Sequence, residues 1–117
     1  MSSTPDASAA RRSEWLRGVL QPCVLQCLAD GPAYGYAIIA RLAEAGLGEI
    51  KGGTLYPLLG RLEVAGHVVT RWEQGESGPG RKYFELTPEG RIDLTEKAAL
   101  WREFARHTAA FIGGTCS

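Results

Sequence analysis

The sequence predicts a mainly α-helical domain with one small β-hairpin, ordered as a winged helix-turn-helix with a long C-terminal helix. Three observations carry this. Leu55, Leu58, Leu59 and Leu62 follow the i, i+3, i+4, i+7 spacing of a half-buried helix. A run of β-branched and aromatic residues comes directly after it, breaks at a glycine-proline stretch and resumes. Thr87-Pro88-Glu89 then has the chemistry of a helix start: a capping hydroxyl, a proline at the first position and an acid in the first turn. At 117 residues the chain has room for one core and an appended helix, but not for two cores.

Residues 1–12 show no apolar periodicity and are expected to form a disordered tail. They contain no apolar segment of the kind a secretory signal needs. No run of about 18 apolar residues occurs, so no membrane span is expected and the expected compartment is the cytoplasm. The first helix is expected over residues 14–28, with Leu16, Val19, Leu20, Cys23, Val24, Cys27 and Leu28 on one face. Pro22 either kinks it or marks the first turn of a shorter helix. Asp30-Gly31-Pro32 stops it.

A second helix is expected from about Tyr34 to Ala45, with Ile38, Ile39 and Leu42 inward and Gly46 as a left-handed cap. The third begins near Gly53-Thr54, with Thr54 as N-cap and Pro57 in the first turn, and ends at Gly66. Its side opposite the leucines holds Gly53, Pro57, Gly60, Arg61 and Val64, flanked by Thr54 and Tyr56. A merely solvated face carries more charge than this one. Strands are expected at residues 67–73 and 82–86, with a turn from Gln74 to Gly80 and with Trp72 packed under the hairpin. The last helix runs to about Ile112. The second and third helices form a helix-turn-helix and the hairpin is its wing. Residues 13–87 make this domain, 88–113 the C-terminal helix and 114–117 a tail.

Composition narrows the function. Thirteen basic residues balance thirteen acidic ones, so net charge lends no support to nucleic-acid binding and the placement of charges must decide. Three cysteines, an odd count, argue against a disulfide framework. Cys23 and Cys27 lie four apart among apolar neighbours, which suits reduced core thiols better than metal ligands. His67 and His107 belong to no recognisable catalytic motif, and no phosphate-binding glycine loop or metal-ligand run exists. No enzyme, no cofactor and no metal site is expected.

Four stretches in order resemble the PadR-like transcriptional regulators. They are Leu16-Arg17-Gly18, and Gly31-Pro32-Ala33-Tyr34-Gly35-Tyr36. The third is Gly53-Thr54-Leu55-Tyr56-Pro57-Leu58-Leu59 with Arg61-Leu62-Glu63. The last is Gly80-Arg81-Lys82-Tyr83-Phe84 with Leu86-Thr87-Pro88-Glu89-Gly90. The single C-terminal helix resembles the short subgroup, in which that helix dimerises, the dimer encloses a cavity, and a tryptophan of that helix stacks on flat aromatic ligands. The resemblance implies a repressor that binds double-stranded operator DNA as a homodimer, with Trp101 at the ligand-stacking place.

On this reading the recognition helix points its N-terminal residues at base edges. Thr54, Tyr56 and Pro57 occupy that end, and Arg61 reaches a phosphate or a guanine. Lys51, Tyr34 and Tyr36 suit backbone phosphates, and Arg81 and Lys82 at the wing tip suit the flanking backbone or minor groove. Leu94, Trp101, Phe104, Ala105, Thr108, Phe111 and Ile112 form a dimerisation seam. Trp101, and with it Trp15, is a candidate for a small aromatic effector; dimer packing is the other role open to both. Two further readings stay open: a metal-responsive repressor sensing through Cys23, Cys27, Cys116 or the histidines, and a winged helix that binds protein instead of DNA.

Overall fold

The computed structural model describes residues 4–75 and 78–113. The elements run α1 (Thr4–Ala29), β1 (Ala33–Tyr34), α2 (Gly35–Glu44), α3 (Gly52–Val64), β2 (Val68–Gly75), β3 (Gly78–Leu86) and α4 (Pro88–Ile112). The three strands form one antiparallel sheet in the order β1-β3-β2. No helix among the described residues is long and apolar enough to cross a membrane.

Helix α1 starts well before the expected boundary, so residues 4–12 are helical instead of a tail. Periodicity reports a buried face, not helicity. Ala7, Ala9, Ala10, Arg11 and Arg12 are strong helix formers that extend a helix already nucleated by packing further on. The helix breaks at Val19 (φ −125, ψ 19), three residues before Pro22. Proline supplies no N–H and its ring crowds the carbonyl one turn back, which accounts for the kink. Leu16, Leu20, Val24, Leu25 and Leu28 are buried, a wider face than the predicted stripe because α1 packs against α2, α4 and β3 together.

Helices α2 and α3 end in the same way. Gly46 and Gly66 take positive φ (82 and 83), and the amides of Leu47 and His67 donate to Leu42 and Leu62 carbonyls at 3.1 and 2.9 Å. This paired arrangement satisfies carbonyls that a helix end leaves open, and the left-handed position favours glycine. Helix α3 begins earlier than expected. Its N-cap is Lys51, whose carbonyl accepts from Thr54 and Leu55 amides at 2.9 and 3.0 Å. Thr54 is therefore inside the helix and does not cap it, and Pro57 lies in the second turn.

The sheet also departs from expectation. Two residues, Ala33 and Tyr34, pair with Phe84 and Tyr83; so short a strand has no period to read. The hairpin is longer than predicted and shows a register irregularity between Glu73 and Gly75. Glycine and proline are tolerated there because that end of β3 has a partner on one side only.

Helix α4 is fixed to the end of α3. The Thr87 hydroxyl accepts from the Gly90 amide at 2.9 Å and donates to the Gly66 carbonyl at 2.6 Å. Gly90 is buried against the His67 carbonyl. Leu94, one turn on, is 8% exposed and belongs to the protomer's own core. It is unavailable to a partner, so Leu94 drops out of the seam that was predicted to begin there.

Candidate nucleic-acid interface

Burial of Leu55, Leu58, Leu59 and Leu62 fixes the rotation of α3. The opposite side, with Gly53, Thr54, Tyr56, Pro57, Gly60, Arg61 and Val64, is exposed. Residues 50–62 contain no aspartate or glutamate; the single acid of α3, Glu63, stands in its last turn and accepts from the Thr70 hydroxyl at 3.1 Å. Lys51 and Arg61 are exposed at the two ends of that acid-free stretch.

Beside α3 the start of α2 and the base of the wing form a cleft of about 450 Å³, lined by Tyr34, Gly35, Tyr36, Tyr56, Arg81 and Lys82. The Tyr34 ring is its hub. Tyr36 stacks near it with centroids 6.4 Å apart and planes 15° from parallel, Tyr83 meets it edge-on at 5.4 Å, and the Arg81 guanidinium sits 4.9 Å from its centroid. Lys82 places its ammonium 5.6 Å from the centre of Phe84. Ring contacts of this kind hold a cation in place without neutralising it.

Arg81 and Lys82 were expected at the wing tip. They stand instead within the ladder, opposite Glu73 and Trp72. That position brings them to the tyrosines, and it follows from the longer pairing of the hairpin. Arg71 on β2 is different: Glu73 and Glu85 neutralise it at 3.5 and 3.3 Å. Among the described residues no carboxylate pairs with Lys51, Arg61, Arg81 or Lys82. Trp72 is 68% exposed, not packed under the hairpin, because it lies beyond the stretch of sheet that Val68 and Phe84 anchor in the core. Periodicity did not single out Gly35 or Tyr83. Their place at the site follows from the β1–β3 register and from the approach of α3 to α2.

Between α1 and α4, Trp15 and Trp101 line one apolar hollow of about 410 Å³ with Leu16, Val19, Leu47 and Phe104. A second hollow of about 330 Å³ shares Val19, Leu47 and Trp101 with the first, so the Trp101 ring is a wall of both. Trp101, Phe104, Phe111 and Ile112 are exposed along α4, with Ala105 and Thr108 half-buried between them.

Burial pushes the Cys23 and Cys27 thiols above their ordinary value; for Cys27 the nearby Arg41 opposes this more weakly. Neutral thiols are poor metal ligands. Among the described residues no group of three histidine, cysteine or acidic side chains is placed to hold a metal, and Cys116 lies outside them. His67 lies beside Asp93, with Nδ1 3.8 Å from a carboxylate oxygen. Asp93 also accepts from Gln21 at 3.2 Å and pairs with Lys97 at 2.7 Å, which ties α4 to α1.

An exposed helix face acid-free over its first eleven residues, a wing beside it and unpaired cations on both define a DNA-binding winged-helix regulator of transcription. The chain belongs to the PadR-like family of transcriptional regulators, whose family model matches residues 24–96. It is 33% identical over 93 residues to a transcriptional regulator of Mycobacterium tuberculosis, covering 80% of this chain and 85% of that one. A PadR family transcriptional regulator from Eggerthella lenta superposes with a TM-score of 0.80 at 36% identity, over 95% of this chain and 96% of the other. A PadR-like transcription factor from Bacteroides fragilis gives 0.70 at 35% identity, over 87% and 98%. Members of this family bind DNA and are not enzymes.

Proposed function

We propose that this protein is a cytoplasmic repressor that binds a palindromic operator as a homodimer and is released by a flat aromatic ligand held between the subunits. The observation that carries the DNA reading is the exposed N-terminal face of α3, which has no acid from Gly52 to Leu62, flanked by the Tyr34, Arg81 and Lys82 cleft. Thr54, Tyr56 and Pro57 face base edges in the major groove, and Arg61 reaches a phosphate or a guanine. Lys51, Tyr34, Tyr36, Arg81 and Lys82 hold the backbone.

The homodimer reading rests on the exposed apolar stretch of α4 formed by Trp101, Phe104, Phe111 and Ile112, a contiguous patch of the kind that marks an interaction site. Two-fold pairing along α4 presents two copies of α3 to half-sites roughly 34 Å apart. The effector reading rests on Trp101 and Trp15 lining one apolar hollow next to that stretch. A ligand there changes operator affinity only by binding the DNA-free arrangement better.

The test is selection of duplexes from a random pool by the purified protein. The reading expects enrichment of an inverted repeat with half-site centres one helical turn apart. Enrichment of no sequence contradicts it and favours a protein partner.

A further inference from the structure

We propose that the cleft between α2, α3 and the wing seats a single DNA backbone phosphate, and that Gly35 creates this seat by leaving room for the Tyr56 ring. The inference rests on the DNA reading, moves the Tyr56 hydroxyl from base edges to the backbone, and adds a geometry and a positioning residue.

Gly35 opens α2 and is buried. Its backbone is not in the left-handed region, so nothing in φ requires glycine there. Glycine in a helix is the less stable choice, by up to about 1 kcal/mol relative to alanine. The reason for it is spatial. A methyl group at position 35 would overlap the Tyr56 hydroxyl and come within 2.6 Å of Cζ and 2.8 Å of Cε1. On the other flank, a methyl at Gly52 would stand 3.3 Å from Cδ2 and Cε2 of the same ring. Tyr56 therefore lies between two glycines that open neighbouring helices, and its hydroxyl is directed across the start of α2.

This placement brings Tyr56, Tyr34, Tyr36, Arg81 and Lys82 to one cleft with no carboxylate in its lining. Among the described residues none hydrogen-bonds to the three phenol hydroxyls. Several unspent donors and two cations around a small space suit a phosphate monoanion, and charge-assisted bonds are the strong kind. The lining comes from four elements at once, β1, α2, α3 and β3. One phosphate held there sets the angle between α3 and the wing, and with it the register of α3 in the groove.

The experiment uses the full-length protein and a duplex that the wild type selects from a random pool. Gly35→Ala is expected to weaken binding roughly 10- to 100-fold, as does Tyr56→Ala, since each protomer loses a bond to a charged group. In the Tyr56→Ala background, Gly35→Ala is expected to add less than about twofold, because there is no ring left to displace. Tyr56→Phe, which keeps the ring and removes only the donor, reports on the seat if Gly35→Ala folds poorly; it is expected to cost roughly tenfold. Arg81→Gln is expected to lower the salt slope by about two per dimer. Replacing single phosphates by methylphosphonates should find one position per half-site that weakens the wild type but not Gly35→Ala.

Additive losses for Gly35→Ala and Tyr56→Ala overturn the proposal, as does a Tyr56→Phe protein that binds like the wild type. Either result leaves the DNA reading standing. Failure of the wild type to select any duplex removes that reading and the proposal with it.

Discussion

Replacing Phe104 with alanine should weaken the homodimer about 100-fold without unfolding the protomer. Phe104 is 67% exposed on α4, on the side that carries Trp101, Phe111 and Ile112. Phenylalanine offers about 200 Å² of surface, so about 130 Å² of Phe104 waits for a partner. Complete coverage at about 25 cal/mol per Å² would stabilise by about 3 kcal/mol for each copy. A two-fold interface contains the residue twice, which sets a ceiling of about 6 kcal/mol. Coverage of half that surface gives about 3 kcal/mol, or a dissociation constant raised by about 100-fold.

Sedimentation equilibrium over a wide concentration range measures this, with thermal melting as the control for folding. Ile92→Ala is the matched comparison, because Ile92 is 62% exposed on the same helix. At 100° per residue it points well away from Trp101 and Phe104. The reasoning fails if Phe104→Ala leaves the dimer unchanged, or if Ile92→Ala weakens it equally.

Further outcomes follow from the joints and the hollow. Gly90→Ala should destabilise by about 2 kcal/mol, lowering the calorimetric Tm by about 10 °C, because the added carbon would meet Leu86 Cδ1 at 2.8 Å and the His67 carbonyl. Asp93 sits below its ordinary value of 3.8, chiefly through its hydrogen bond with Lys97. Its contribution is therefore complete above that value and is lost as pH falls toward the lower folded value. Asp93→Asn should flatten the fall in urea midpoint below about pH 4, and an unaltered acid limb would contradict this. Planar aromatic compounds are expected to quench the tryptophan fluorescence of the wild type, and Trp101→Ala should remove most of that quenching. A compound that quenches Trp101 yet leaves operator affinity unchanged would disprove the coupling.

Much of the fold was legible because burial imposes a period. Leu55, Leu58, Leu59 and Leu62 could serve only as one face of one helix, and all four are buried. Glycine after α2 and α3, and Thr87-Pro88 before α4, mark helix ends through local chemistry that tertiary structure did not override. The errors have equally physical causes. Thr54 has the chemistry of a cap, but the first turn of α3 closes on the Lys51 carbonyl instead. Leu94 continues the apolar seam of α4, yet α1 reaches that turn and buries it. Nothing local distinguishes the two uses of such a leucine.

The candidate site was legible residue by residue but not as an arrangement. Tyr34 and Arg81 suggested backbone contacts and Tyr56 a base contact, while their convergence depends on a two-residue strand and a lengthened hairpin. Gly35 carried no signal by period or charge. Its role appears only where α3 approaches α2.

The most direct test of the central claim is a mobility shift of the selected duplex beside a scrambled one, at 50 and 200 mM salt, taken here as roughly low and physiological strength. Lys51, Arg61, Arg81 and Lys82 from both protomers allow a steep loss of affinity, about 10³-fold or more across that range. The account predicts tight binding to the selected duplex alone, falling by that order as salt rises. Equal binding to both duplexes, or binding indifferent to salt, would contradict it.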